Sequence, residues 1–344
     1  MYEILLKNGE IIDPSQGIHW VGSVAIQDGK IAAVGKDIGE TEAKKVFDMK
    51  GKIIAPGLID IHCHPADGFL GLGVPEDEIG LNTGVTLLCD AGSAGAANFD
   101  AMRKFVIERA KTDIFCFLNL AATGLVKMPE ILGKHDIDID HSKRVIEANS
   151  DIIKGIKIRA IQTLAEGLGI EGIEIAKKLA SDSRILLMVH LGQTRKRVPN
   201  DKMDDFSRAA VSLLERGDIL SHCFTWEPGG LILKDGTVYP ELEEAQKRGV
   251  VLDSCHGLNH FSFSVARHAI ARGLTPTVIS TDMASIVLPV AQSLAVVMSK
   301  FLNLGISIDK VIEMTTVNPA KALGEEQKRG SLKMGMSANI TVME

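Results

Sequence analysis

The 344-residue sequence has no apolar run approaching the roughly 18 residues that a bilayer-crossing helix needs. Charges also interrupt its first stretch, MYEILLKNGEIIDP, before a signal-peptide core can form. These absences predict a soluble, cytoplasmic protein with no membrane partner. Blocks of one charge sign are lacking too. The net charge of −6 is spread over intermixed acidic and basic residues, which leaves no basic surface for nucleic acid. Paired-cysteine motifs are missing: Cys63, Cys89, Cys116, Cys223 and Cys255 are odd in number, show no CxxC spacing and fall in apolar runs. They read as buried free thiols in a reducing compartment. No solenoid-type repeat or low-complexity linker divides the chain.

What is present falls into two textures. Up to about residue 54, short β-like runs alternate with NG and DG turns, whose residues tolerate the positive φ of tight hairpins. Beyond Pro56 come eight apolar runs, at 57–64, 84–92, 113–124, 151–160, 184–192, 217–224, 249–257 and 275–285. Between them, stretches such as 98–112, 170–183, 203–217 and 288–305 repeat apolar residues at three and four, as crossover helices do. Continuously apolar strands are buried on both faces, and eight of them predict an α/β fold, a (β/α)8 TIM barrel. The expected organisation is a barrel over 55–329 with a small β-sandwich subdomain built from 1–54 and 330–344.

In such a barrel the working residues sit at the C-terminal ends of the strands. Those ends carry His62 and His64 on the first run, Lys157 on the fourth, His190 on the fifth, His222 on the sixth and Asp282 on the eighth. His62 and His64 share one face of a strand, about 7 Å apart at the backbone, where two neutral imidazoles can grip one ion. Two hydrogen-bonded core histidines are the competing reading. His190 and His222 singly are ordinary structural residues, and Asp282 alone is a helix cap. Together, four imidazoles at one barrel mouth are costly to leave unpaired. Zinc suits an imidazole-rich set, although manganese, iron or cobalt fit the same ligands. An unmodified Lys157 contradicts such a site electrostatically.

The motif APGLIDIHCHP, the later strand ends in order, and the tail TTVNPAKALGEEQKRGSLKMGMSANITVME resemble the amidohydrolase superfamily, which includes dihydroorotase, dihydropyrimidinase and urease. The resemblance implies that Lys157 is carbamylated to N6-carboxylysine and bridges two divalent metal ions, most naturally zinc. His62, His64 and Asp282 would hold the buried ion, and His190 with His222 the more exposed one. It implies hydrolysis of an amide or ester bond through a metal-bridging hydroxide, with Asp282 moving the proton. GIKIRA, HG followed by SFSVAR, and STDM most resemble the dihydroorotase-like deacetylases, which implies deacetylation of a small substrate bearing a carboxylate.

For that carboxylate, Arg159 shares the strand face of Lys157, with a structural ion pair as its alternative. His256 is placed to contact substrate or oxyanion, while His260 reads as a surface or helix-capping residue. Gln193 and Arg195 are weaker choices in a basic run that fits a solvated face equally well. Relatives continue for further strands, so an end at Glu344 implies a truncated or reduced small subdomain; a homo-oligomer is expected. The alternatives are cyclic-amide hydrolysis of the dihydroorotase type, nucleobase deamination and a non-catalytic scaffold. Lys157 and the sequence HLGQ around His190 speak against the deaminase, and the intact ligand set against the scaffold.

Overall fold

The structure is a computed structural model, and it describes residues 1–193, 201–233 and 235–344. The N-terminal texture forms β1 (Tyr2–Asp13), β2 (Ile18–Gln27), β3 (Lys30–Gly35), β4 (Ala43–Asp48) and β5 (Ile53–Pro56). β1 is long enough to serve two neighbours in turn on one side. Its first half pairs in parallel with β4 and its second half with β5, while β2 runs antiparallel along its other edge. The chain returns near its end as β13 (Ile340–Met343), which follows seven barrel strands and pairs antiparallel with β5. Leu6, Ile11, Val24, Ile31, Ile54 and Leu332 give this sheet a small core of its own.

The barrel strands are β6 (Leu58–Cys63), β7 (Val85–Gly95), β8 (Asp113–Asn119), β9 (Ile153–Ala160), β10 (Leu186–Leu191), β11 (Ile219–Ser221) and β12 (Val251–Asp253). They lie in sequential order and all run parallel. The eighth run forms no regular strand. It closes the barrel through single parallel bridges, Asp253 to Val278 and Cys63 to Met283, and through bonds from Asp282 N to His62 O (2.7 Å) and His64 N to Met283 O (2.8 Å). A seven-stranded sheet plus this seam is the (β/α)8 barrel expected.

Inside the barrel, Ile59, Ile61, Leu87, Phe117, Met188, Ile219, Val251 and Val278 pack into one cluster, closed from below by Ala320 and Leu323. β9 contributes Gly155, where a Cβ would meet the Phe117 ring at 2.6 Å. This apolar plug fills the lower barrel, so the polar strand ends above it form the floor of a cavity.

Helices jacket the outside. α1 (Phe99–Phe105) is shorter than its apolar period predicts, since the chain leaves the helix at Val106 and enters a 3-10 turn over Ile107–Arg109. α2 (Ile170–Ser183) matches its expected span and buries Ile173, Ala176, Leu179 and Ala180 on one face. α3 spans Asp201–Ser212. The stretch 288–305 is two helices: a turn at Leu288–Ala291 ends at Gln292 (φ 57°), and Ser293 then caps α4 (Leu294–Asn303) by accepting from Val296 N. α5 (Ile308–Thr315) packs against β1 and β6. No helix among the described residues is long and apolar enough to cross a membrane.

Candidate metal centre

The six strand-end residues named from sequence all meet at one end of the barrel. His62, His64, Lys157, His190 and Asp282 line a cavity of about 640 Å3, and His222 lies fully buried beside them. Both imidazoles of β6 are oriented from behind. His62 Nδ1 lies 3.0 Å from Ser221 Oγ, and Ser221 in turn donates to Asp253 Oδ2 at 3.0 Å. His64 Nδ1 lies 3.0 Å from Ser93 Oγ. With each Nδ1 occupied, both Nε2 atoms face Asp282 Oδ1, at 3.5 and 3.4 Å. A ring fixed through one nitrogen so that the other presents a lone pair is the arrangement of a metal-ligating histidine.

Lys157 stands under these rings with its Nζ 3.0 Å from His62 Nε2 and 3.5 Å from Met188 Sδ. No ion pair to Lys157 occurs among the described residues. Burial lowers its pKa to about 8. Its stem fits because residue 92 on β7 is glycine at φ 88°, where a Cβ would meet Lys157 Cγ at 2.8 Å. Burial likewise holds His62, His190 and His222 well below the ordinary histidine range, so the rings are neutral and their lone pairs available.

Two sets of donor atoms converge within 4.8 Å of one another: His62, His222, Cys255 and Asp282, and separately His190, His222 and His260. His222 belongs to both. Its Nδ1 donates to Cys255 O at 2.9 Å, while its Nε2 is buried with no hydrogen-bond partner. An orphaned buried imidazole nitrogen amid such donors is what a cation-binding floor requires, so the residues present fit divalent metal. Three residues at the tips of consecutive runs, His222 (φ 65°), Cys255 (φ 34°) and Asp282 (φ 56°), take left-handed backbone conformations that non-glycine residues rarely adopt. Such strain concentrates at functional sites.

The sequence reading is corrected at His260 and His256 and extended at Cys255. His260 is no surface group: only 4% exposed, it lines the cavity with its ring 4.2 Å from that of His222 and 4.9 Å from that of His190. Cys255 is the buried free thiol expected, and it also enters the donor set. It lies two residues beyond β12 at positive φ, so the alternation of the strand does not assign its direction. His256 turns away from the cavity. Its Nδ1 donates to Gly257 O and its Nε2 accepts from Lys300 on α4, each at 2.7 Å, and its ring stacks on Phe261.

Arg159 does line the cavity, but its Nε and Nη2 grip both oxygens of buried Glu130 at 2.5 and 2.6 Å. Gln193 is buried near the strand end, and Arg195 lies outside the described residues. The mouth of the cavity is apolar, with Leu72, Val126, Met128, Leu258 and Ile286 at its rim, all of them exposed.

A closed parallel barrel with a donor-rich floor under an apolar mouth defines a barrel protein with a candidate metal centre. Residues 53–344 match the amidohydrolase family, and the chain belongs to it. It is 36% identical over 323 residues to a deacetylase of Brucella anthropi, covering 92% of this chain and 78% of the relative. Among solved structures, a crystal structure of a dihydroorotase superposes with a TM-score of 0.87 at 34% identity, covering 100% of this chain and 89% of the other. A crystal structure of an adenine deaminase does so with a TM-score of 0.87 at 29% identity, covering 99% and 90%. The protein is accordingly a hydrolase acting on C–N bonds, as its family and relatives establish.

Proposed function

We propose that the enzyme removes an acyl group, acetyl being the simplest, from the nitrogen or oxygen of a small substrate bearing a carboxylate. The observation that carries this reading is the buried Lys157 amine among imidazoles, 3.0 Å from His62 Nε2 and without an ion pair among the described residues. As an ammonium it opposes any cation at this floor. As a carbamate formed with carbon dioxide it becomes an anionic ligand. His62, His64 and Asp282 would then hold one divalent ion and His190 with His222 a second, with zinc favoured by the imidazole-rich set. When bound, such ions supply Lewis acidity toward a carbonyl oxygen and lower the pKa of water.

The chain's own groups complete the chemistry. Asp282 turns Oδ1 toward the two β6 imidazoles and is the most exposed of the donors of its set, with its side chain 18% accessible. Its other oxygen can take a proton from the attacking water and return it to the leaving nitrogen or oxygen. Arg159, with Nε and Nη2 committed to Glu130, keeps Nη1 for a substrate carboxylate. The apolar rim excludes water from the floor and accommodates the rest of the substrate. The deacetylase name of the Brucella anthropi relative supports this reaction over ring opening.

The deciding experiment is elemental analysis of protein purified without chelators, beside Lys157→Ala, followed by assays on N-acetyl and O-acetyl carboxylic acids. The expected result is about two divalent ions per chain, fewer in Lys157→Ala, with acetate released only by the wild type. One ion, unchanged by Lys157→Ala, would overturn the bridging lysine. Turnover of a cyclic amide without release of acetate from any acetyl compound would replace deacylation with ring opening.

A further inference from the structure

We infer that His260 is a third imidazole ligand of the outer cation, making His190, His222 and His260 a three-histidine site. This rests on the reading that the cavity floor holds divalent ions, and adds a ligand which that reading does not contain. The three rings are each buried, at 5%, 0% and 4% exposure, and their donor atoms converge within 4.8 Å. Ring centroids are 4.2 Å apart for His190 and His222 and for His222 and His260, and 4.9 Å for His190 and His260.

What distinguishes this trio from three packed core histidines is the way each ring is fixed. His190 gives its Nε2 to Gly192 O at 3.1 Å, His222 gives its Nδ1 to Cys255 O at 2.9 Å, and His260 places its Nδ1 2.9 Å from Thr225 Oγ1. With Nδ1–H donating to the threonine, each ring has one nitrogen held by an oxygen and the other left with a lone pair. Such an oxygen partner fixes tautomer and direction in a ligating histidine. The partnerless Nε2 of His222 points independently to a missing ligand at the same place. Space for the arrangement is set by Gly192 (φ 85°), where a Cβ would meet Thr225 Oγ1 at 2.8 Å and His260 Nδ1 at 3.3 Å. Together with a Lys157 carbamate, three neutral nitrogen donors would give the outer cation four protein ligands, so that water would bind there only as a fifth ligand.

The test is zinc retention of wild type, His260→Gln and Thr225→Val during dialysis against graded chelator, read by elemental analysis, with cobalt-substituted absorption spectra and melting curves alongside. The expected result is that His260→Gln keeps one ion and binds the other at least roughly tenfold more weakly, while Thr225→Val, which loses only the orienting hydroxyl, weakens it about 10-fold. The cobalt spectrum of the weakened site should shift in both. Should His260→Gln fail to fold, Thr225→Val decides alone. Variants that retain both ions as tightly as wild type, with unchanged spectra, overturn the His260 ligand while leaving the proposed function standing. A wild type that holds no divalent ion overturns both.

Discussion

Lys157 Nζ lies 3.0 Å from His62 Nε2, so this lysine at the cavity floor meets a neutral ring rather than an acid. Burial lowers the lysine pKa to about 8, which makes a neutral amine accessible, and only a neutral amine adds to carbon dioxide. Metal uptake should therefore depend on dissolved carbon dioxide. Metal-free protein given zinc in carbon-dioxide-free buffer is expected to regain hydrolytic activity markedly more slowly than with added bicarbonate. Equal recovery rates in the two buffers would argue that the lysine acts unmodified.

Asp282 is held on a left-handed backbone turn with Oδ1 3.4 to 3.5 Å from two imidazoles. Asp282→Asn preserves size and much of the hydrogen bonding but removes the proton-accepting carboxylate. A loss in kcat of about 10²- to 10⁴-fold is expected, the range of general acid–base contributions. The melting temperature should change little. A kcat within a few-fold of wild type would move the proton-transfer role elsewhere.

The strand-end residues were legible because each ends an apolar run, and a barrel brings such ends together whatever its loops do. His62, His64, Lys157, His190, His222 and Asp282 need only the strand count and the period of two. His260 was not legible, because it sits in the loop after β12, where no period assigns a direction; its place is set by Thr225, 35 residues away. Arg159 shows the same limit. Its face was readable, but its partner Glu130 lies 29 residues earlier in a loop whose path nothing local specifies. The break at Gln292 escaped because the apolar spacing of 288–305 runs on across it, while a left-handed residue and the Ser293 cap override the pattern.

The Arg159–Glu130 pair is bidentate and nearly dry, with side chains 8% and 4% exposed. Removing only one partner strands a buried charge. Glu130→Ala is expected to lower unfolding free energy by about 3–5 kcal/mol. The double variant Glu130→Met with Arg159→Met should recover most of that stability in urea titrations. It should at the same time raise KM for carboxylate-bearing substrates, since the proposed Nη1 contact goes with the arginine. Unchanged KM in the double variant would leave Arg159 a purely structural role.

His19 ties the small sheet to the barrel and should make that junction sensitive to pH. Its Nε2 lies 2.8 Å from Glu10 on β1 and its Nδ1 2.8 Å from Asp309 on α5. Carboxylates accept only, so both bonds can exist together only when the ring carries both protons. The bond to Glu10, with a smaller contribution from Asp309, raises the histidine pKa above 6.5 against a modest burial penalty. A group whose pKa is higher folded than unfolded binds its proton more tightly in the native state, so it stabilises at low pH. The contribution is complete below the ordinary histidine value and fades as pH rises through the raised one. The melting-temperature difference between wild type and His19→Gln should thus be largest below that ordinary value and shrink toward zero on the alkaline side. Because the three side chains are each more than a third exposed, added salt should diminish it at every pH. A difference that grows with pH would mean that the neutral ring, not the imidazolium, makes the contact.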